Sequence, residues 1–316
     1  MRKLYWAKQA CFVFVLCAAA AVALRAQTLT TIYAFNNEDG VGFVPEAGLI
    51  QGTDGNLYGT VLDYGPNGGG TAFTITTSGA VTVVYAFCAQ VLNSICMDGN
   101  YPLSEVIQGN DGNIYGTTIY GGSQDGNSGT VFKLTPGGAL TTLHAFCAAG
   151  APCTDGNEPT GAVIQHTNGN LYGTTFSGGA GSIGTIYEVT TGGTLTTLHS
   201  FAGPEGAYPY AGLVEASDGN LYGTTEGDGG VHTVGTVFKM TPNGVVTTTH
   251  TFCLTYGCPD GAQPMAPVIQ GSDGNFYGTT YYGGAYDHGA VFKLTPGGHA
   301  DHALQLLLAD GGLTVR

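Results

Sequence analysis

Six cysteines of this 316-residue chain fall into three local pairs, a pattern that suits either disulfide bonds or a metal site. The pairs are Cys88 with Cys96, Cys147 with Cys153 and Cys253 with Cys258. The corresponding loops after Phe35 and Phe201 contain no cysteine, so these residues come and go two at a time, which predicts disulfides and an oxidising compartment. The alternative is zinc, which would need four ligands from two loops, and no histidine adjoins a Cys pair.

Five positions that directly precede a glycine could line a binding rim. They are Tyr64, Tyr120, Ser177, Asp228 and Tyr282. Tyrosine rings can stack on sugars, and their hydroxyls can hydrogen-bond a polar ligand. The alternative is that these are partly exposed packing residues in a chain that has 18 tyrosines.

The histidines show a different pattern. His144, His199 and His250 occupy one position of a repeat, and Tyr33 and Tyr85 fill that position elsewhere. A position that accepts tyrosine in place of histidine indicates packing rather than metal binding.

Carboxylates in the same loops raise the question of calcium. The candidates are Glu226 with Asp228, and Asp63 with Asp125 across repeats. Their spacing does not resemble a twelve-residue calcium loop, so we predict no cofactor. The sequence also contains no Gly-x-Ser-x-Gly, no Gly-Lys-Ser/Thr phosphate loop and no His-Glu-x-x-His.

All these residues belong to a repeated unit whose signature is Asp-Gly-Asn-hydrophobic-Tyr-Gly-Thr. Its copies span residues 54–60, 111–117, 168–174, 218–224 and 273–279, with Asn168 replacing the first Asp in the third copy. The steps between their tyrosines are 57, 57, 50 and 55 residues. A regular period of this length predicts one supersecondary unit that has been copied.

The second repeat shows what the unit is. We predict strands over 105–108, 113–118, 129–135 and 140–146, separated by glycine-rich turns, since an Asp-Gly step between apolar runs favours a hairpin. Four antiparallel strands in a repeat of this length predict an all-β fold, a β-propeller of five blades. A solenoid of stacked hairpins is the alternative.

The ends of the chain bear on ring closure. Residues 28–35 resemble a fourth strand with no strands before them, whereas the fifth repeat has no recognisable fourth strand after its third. We therefore predict that segment 28–35 completes the last blade and closes the ring. The tail, 299–316, departs from the repeat, and we interpret it as a frameshifted remnant of a further repeat or as a short helix over 304–308.

The first 26 residues read as a signal peptide, with basic residues, an apolar run and an imperfect cleavage site, which leaves the repeats in a domain over 27–298. An uncleaved membrane anchor is the alternative, but the run is shorter than a spanning helix needs. Cleavage would leave four basic residues against 22 acidic ones, a formal net charge of −18, which opposes nucleic-acid binding. We expect an exported monomer, secreted, periplasmic or on the cell surface.

In an up-and-down blade, the first and third turns lie at one end, here called the turn end. The second loop and the link between blades lie at the other, here called the loop end. The turn-end sequences are nearly invariant, whereas the cysteine pairs and all variation in length fall at the loop end. Because variable loops on a rigid scaffold usually carry function, we place any site at the loop end.

The combination of Asp-Gly-Asn-Leu-Tyr-Gly-Thr-Thr, Gly-Thr-Val-Phe-Lys-Leu-Thr-Pro-Gly-Gly and Leu-Thr-Thr-Leu-His-Ser-Phe resembles the GloVer-type tandem repeat of the choice-of-anchor exported bacterial proteins. The resemblance covers residues 28–298. It implies an exported, propeller-like surface protein, usually followed by an anchoring or sorting segment, and it supplies no catalytic residues. No apolar anchor or basic tail is recognisable after Gly298.

Three hypotheses of function follow. The first is an extracellular binding module for carbohydrate or protein. The second is a polysaccharide-acting hydrolase or lyase with its site on the variable loops, for which an acid pair ~5–9 Å apart would be the sign. The third is a purely structural surface repeat.

Overall fold

The computed structural model describes residues 28–36, 38–123, 128–227, 234–297, 300–301, 308–309 and 312–313. The chain divides into two compact units, Met1–Ala34 and Phe35–Arg316, and all described strands belong to the second. The signal-peptide prediction and most of the predicted tail lie outside the described residues.

Five four-stranded antiparallel sheets follow one another along the second unit, each with its strands in sequence order. They form the five blades of a β-propeller, which confirms the predicted fold class. The first strands are Ile50–Gln51, Ile107–Gln108, Ile164–Gln165, Val214–Glu215 and Ile269–Gln270. The second strands are Leu57–Val61, Ile114–Thr118, Leu171–Thr175, Leu221–Thr225 and Phe276–Thr280.

The two remaining strands of each blade complete the sheet. The third strands are Thr71–Ile75, Thr130–Leu134, Thr185–Val189, Thr236–Met240 and Ala290–Leu294. The fourth strands are Val81–Ala86, Leu140–Ala145, Leu195–Ser200, Val246–Thr251 and Ala300–Asp301. Two small hairpins stand apart, one from Val91–Leu92 and Ile95–Cys96, the other from Leu308–Ala309 and Gly312–Leu313.

The glycine of Tyr-Gly-Thr lies where a blade is tightest. A Cβ placed on Gly116 would stand 2.6 Å from the Phe132 ring of the neighbouring third strand. Real Cβ atoms do not approach that closely, so only glycine leaves room for the ring beside the second strand. The same crowding recurs at Gly59, Gly173, Gly223 and Gly278.

The core consists of apolar layers between successive blades. Between blades 1 and 2, Tyr58 and Phe87 pack against Phe132 and Ile114, and the other three layers repeat this arrangement. The sheets of blades 2, 3 and 4 thus bury both faces, which explains why their second and third strands are almost entirely buried.

Hydrogen bonds join the same blades at their inner strands. The Gln108 side chain of blade 2 accepts from the Thr53 N–H of blade 1 at 2.8 Å. The equivalent acceptors are Gln165, Glu215 and Gln270, whose donors are Asn110, Thr167 and Ser217. Each of blades 2 to 5 is therefore fixed to the preceding blade by packing and by a hydrogen bond.

The ends of the chain differ from the prediction. Residues 28–36 form no strand, and the fifth blade has a fourth strand after all, Ala300–Asp301, paired with Lys293 and Leu294. Among the described residues, the strand pairing that would close the ring through segment 28–35 does not occur. Leu308 lies in a two-residue strand rather than at the end of a helix.

Candidate functional site

At the loop end of every blade, the loop between the second and third strands pairs with the link that enters the blade. The pairs are Phe43 with Asp63, Asn100 with Tyr120, Asn157 with Ser177, Ala207 with Gly227 and Ala262 with Tyr282. The next residue of each link has a positive φ of 56–69° and precedes a proline; these residues are Val44, Tyr101, Glu158, Tyr208 and Gln263. Left-handed backbone is costly for such side chains and persists only where the surroundings enforce it.

Backbone hydrogen bonds enforce it here. The Tyr101 N–H donates to the Gly69 carbonyl of the preceding blade at 3.0 Å, and the Tyr101 carbonyl accepts from Ile119 at 3.1 Å. The link is thus held between two blades. The loop end therefore presents side chains on a rigid backbone, as a binding site requires.

The structure places most of the predicted rim residues at this end. Tyr64 and Tyr282 are exposed, Tyr120 and Ser177 are half-buried, and Asp228 lies outside the described residues. Tyr120, Ser177 and Tyr282 occupy one structural position, the one paired with the link.

Tyr64 does not share that position, although it too directly precedes a glycine. The structure thus corrects the prediction that groups Tyr64 with the other rim residues. In blade 1 the position paired with the link is held by Asp63, and Tyr64 forms a parallel bridge to Gly69, as Gly178 does to Ile183 in blade 3. Tyr64 accordingly has the positive φ of a glycine site, 66° against 78° at Gly178. The loop of blade 1 has the same length here as that of blade 3, but Tyr64 replaces the first of two successive glycines, Gly178 and Gly179 in blade 3, and the glycine that follows Tyr64 hid this shift in the sequence.

Aromatic partners that the sequence reasoning missed surround these residues. The Phe176 ring lies 5.2 Å from that of Tyr208 and 6.1 Å from that of Tyr210. Three rings from blades 3 and 4 therefore meet at one seam, the name used here for the contact between two successive blades. Other pairs are Phe43 with Tyr64, Tyr101 with Tyr120 and Tyr281 with Tyr282. The signal that could have found Tyr208 and Tyr210 is the proline between them, because a proline recurs there in every repeat.

Carboxyl groups lie among these rings. Burial raises the pKa of Glu226, and burial also raises that of Glu158, although a hydrogen bond from Ser177 opposes the shift. The pKa of Tyr210 is raised first by burial and then by the negative charges of Glu46 and Glu226. Glu46 belongs to blade 1 and Glu226 to blade 4, so their fields reach Tyr210 from two different blades.

The described lysines do not neutralise this charge. Lys133, Lys239 and Lys293 lie at the turn end, where each faces the aspartate of the first turn at 2.9, 3.0 and 3.8 Å. Within the described residues, the loop end therefore carries carboxylates and aromatic rings without a lysine or arginine. Such a surface repels acidic ligands.

His144, His199 and His250 connect the fourth strands to the links. Each of these histidines directly follows a β-bulge in its fourth strand. The Nε2 atoms of His144, His199 and His250 lie 2.8, 3.2 and 3.0 Å from carboxylates of Asp155, Glu205 and Asp260. In blade 1 the Tyr85 hydroxyl donates to Asp98 in the same way. The interchange of His with Tyr is thus explained, because both hydrogen-bond one acid.

The acid in turn holds the start of the link. Asp155 accepts from the Cys147 N–H, directly after the fourth strand. Three disulfides join the predicted partners Cys88 and Cys96, Cys147 and Cys153, and Cys253 and Cys258. The cysteines are therefore structural, and the zinc alternative is wrong for them.

No cluster of three or more His, Cys, Asp or Glu side chains that could hold a metal ion occurs in the described part of the chain. Asp125 and Asp228, two of the calcium candidates, lie outside it. Among the described residues, no helix is long and apolar enough to span a bilayer.

The fold is similar to several solved structures. A putative gluconolactonase matches with a TM-score of 0.48 and 12% identity, over 82% of this chain and 77% of its own. The gluconolactonase XC5397 from Xanthomonas campestris matches with 0.49 and 12%, over 82% and 75%. PorZ, a surface component of the type-IX secretion system of Porphyromonas gingivalis, matches with 0.49 and 14%, over 85% and 34%.

No curated protein matches the sequence. A family model does, twice in tandem, over residues 19–154 and 149–313, which is nearly the whole chain. This result confirms the resemblance seen in the repeat motifs. The chain belongs to the Gloeobacter/Verrucomicrobia repeat family.

Proposed function

We propose that this protein is an exported binding module that holds a neutral carbohydrate against the loop end of the propeller. The observation that carries the proposal is the meeting of Phe176, Tyr208 and Tyr210 at the seam between blades 3 and 4. Sugar rings bind proteins by stacking on aromatic faces and by hydrogen bonds to hydroxyls. The disulfides are consistent with an oxidising, extracytoplasmic compartment.

The charges support a neutral ligand. Glu46, Glu158 and Glu226 lie in the same loops and chain segments as the rings, and the described lysines lie at the opposite end. Uronic acids and sulfated sugars would meet only repulsion there. Carboxylates can instead accept hydrogen bonds from sugar hydroxyls.

The test is a binding screen of the full chain against neutral and acidic oligosaccharides, followed by titration calorimetry on the best ligand. Tyr210→Ala should weaken binding roughly tenfold or more, since a lost stacking ring is worth about 1–2 kcal/mol. Tyr256→Ala is the matched control, because Tyr256 is fully exposed in the disulfide loop of another blade. Equal loss in both variants, or binding only of acidic sugars, would contradict the proposal.

A hydrolase is the second candidate, and the raised pKa values of Glu158 and Glu226 are the observation that favours it. A raised pKa favours the protonated form of a carboxyl group, which is the form that a general acid needs. Release of shorter oligosaccharides, abolished by Glu226→Gln with binding retained, would identify an enzyme. Binding without product release would leave the binding module as the function.

A further inference from the structure

Successive blades meet through the same two surfaces. The trailing flank of a blade is the surface that in blade 5 comprises Tyr277, Thr279 and Val291. The leading flank is the surface that in blade 1 comprises Ala47, Leu49 and Gln51. At the four internal seams the counterparts of Val291 and Leu49 are at most 5% exposed; they are Ala72, Val131, Ile186, Val237, Val106, Val163, Leu213 and Val268.

At the two ends of the array the same positions are open. Leu49 is 48% exposed and Val291 is 58% exposed, and Thr279 is exposed whereas its counterparts are buried. Two apolar residues that the repeat normally buries are therefore in contact with water. This exposure costs free energy that a matching surface would recover.

The polar groups of a seam are present on both free flanks. Inside the array, the Thr60 hydroxyl of blade 1 donates to the Ser104 carbonyl of blade 2 at 3.3 Å. The hydroxyls of Thr117, Thr174 and Thr224 each donate in the same way to a carbonyl of the following blade. Thr279 carries this hydroxyl on blade 5, and Ala47 carries the matching carbonyl on blade 1.

The second hydrogen bond of a seam joins a backbone N–H of one blade to a glutamine or glutamate side chain of the next, and blade 1 carries such a side chain in Gln51. Gln51 donates to the Gly55 carbonyl at 3.3 Å, as Gln108 donates to Gly112 at 3.1 Å. Its carboxamide is therefore oriented like that of Gln108, which accepts from the preceding blade. The donor that would correspond on blade 5 is the Ser272 N–H.

Blade 1 already carries part of a seam. The Phe35 ring lies 5.4 Å from Phe73 in an edge-to-face contact. Phe87 lies 5.1 Å from Phe132 in the same way, and there the first ring ends the fourth strand of the preceding blade. The leading flank of blade 1 is thus built to follow another blade.

We propose that the trailing flank of blade 5 binds the leading flank of blade 1 in a second copy of this chain, head to tail. Within one chain Leu49 and Val291 remain 48% and 58% exposed, so its own two flanks do not bury these residues against each other. A second copy offers the same leading flank. The contact is heterologous, so association continues with concentration until the assembly closes.

Sedimentation velocity of the full chain over a wide range of concentration tests this proposal against the monomer that the sequence analysis expects. Val291→Glu should weaken association at least about tenfold, because a charge would be buried in the seam. Val245→Glu is the matched control, since Val245 is also 58% exposed but lies at the third turn of blade 4. A wild-type chain that stays monomeric, or equal association of both variants, would overturn the proposal.

Cysteine cross-linking identifies the surfaces. Chains with Ser272→Cys are mixed with chains with Gln51→Cys, and oxidation should give a disulfide-linked dimer containing one of each. A chain carrying both changes, oxidised at high dilution, should remain without an internal cross-link. Efficient internal cross-linking would show that the ring closes on itself and would refute the second copy. Neither result depends on whether a sugar binds.

Discussion

The turn end and the loop end of each blade differ in how far their side-chain interactions repeat from blade to blade. At the turn end, one hydrogen bond recurs in four blades: the Tyr115 hydroxyl donates to Asp111 at 2.8 Å, and the hydroxyls of Tyr58, Tyr222 and Tyr277 donate to the aspartates of their own first turns at 2.7–3.1 Å. At the loop end, only the backbone pairing recurs, and the side chains differ from blade to blade. Stability is thus repeated, whereas the surface offered to a ligand is not.

Blade 3 shows that the network, not the residue, is what is kept. Asn168 replaces the aspartate, and Glu188 replaces the lysine of the third strand. The Tyr172 hydroxyl then donates to Glu188 at 2.9 Å, and the Asn170 side chain donates to the same oxygen at 2.6 Å. The carboxylate has moved from the turn to the neighbouring strand, and the tyrosine keeps its acceptor.

The largest difference in the free energy of unfolding is expected between the variants Phe132→Ala and Tyr282→Ala. Phe132 is fully buried and packs on Phe87 across a seam, so its loss should lower the free energy of unfolding by about 3–5 kcal/mol. Tyr282 is exposed at the loop end and should change it by less than about 0.5 kcal/mol. Urea denaturation measures both. Comparable losses would show that the loop end is part of the core.

Removal of one disulfide comes next. The double change Cys147→Ala and Cys153→Ala opens a six-residue separation and should lower stability by about 2 kcal/mol in the chain-entropy model. The link after Phe201 holds its shape through Glu205 without any cysteine. If Glu205→Gln costs as much as losing the disulfide, then the acid rather than the disulfide is the main brace.

Blade 3 offers a smaller and sharper test. Glu188→Lys leaves the buried Tyr172 without its carboxylate acceptor and should cost roughly 1–2 kcal/mol. Adding Asn168→Asp recreates the arrangement of blade 2 and should restore most of that loss. A double-mutant cycle measures the coupling between the two positions. Additive effects would mean that the exchange of charges in blade 3 is coincidental.

The smallest effects are in the pH dependence, where Asp218 at the turn end and Glu226 at the loop end have opposite signs. At the turn end, burial opposes ionisation of Asp218, but hydrogen bonds from Asn220 and Lys239 outweigh it and lower the pKa to about 2. A lowered pKa contributes stability above the unfolded value, ~3.9, which is lost as the pH falls towards 2. At the loop end, burial raises the pKa of Glu226. Its contribution is present at low pH and is lost as the pH rises through the raised pKa.

Asp218→Asn should therefore flatten the acid side of the stability profile, whereas Glu226→Gln should gain stability at pH 7 relative to pH 4. Each effect should stay below about 1 kcal/mol, because both side chains are partly solvated. Melting temperatures between pH 2 and 8 measure them. The same slope for both variants would contradict the opposite pKa shifts of Asp218 and Glu226.

Much of the fold could be predicted because every repeat contains the same turn sequences and apolar runs, which specify strands and hairpins locally. The Asp-Gly step between apolar runs, the glycine-rich turns and the recurrence of Tyr-Gly-Thr predicted strands that the structure confirms at Ile114–Thr118 and Thr130–Leu134. The pairing of cysteines followed from their presence in some repeats and absence in others. The candidate site was predicted less well, since Phe176, Tyr208 and Tyr210 come together only when blades 3 and 4 pack.

The sequence by itself determined that one four-stranded unit is copied five times, because strand periodicity and turn chemistry act over a few residues. It could not show that Tyr64 is shifted by one position, that Glu188 supplies the acceptor missing at Asn168, or that Leu49 and Val291 remain exposed. Those outcomes depend on contacts between residues of different strands and blades, and only packing of the complete sheets brings such residues within reach of one another.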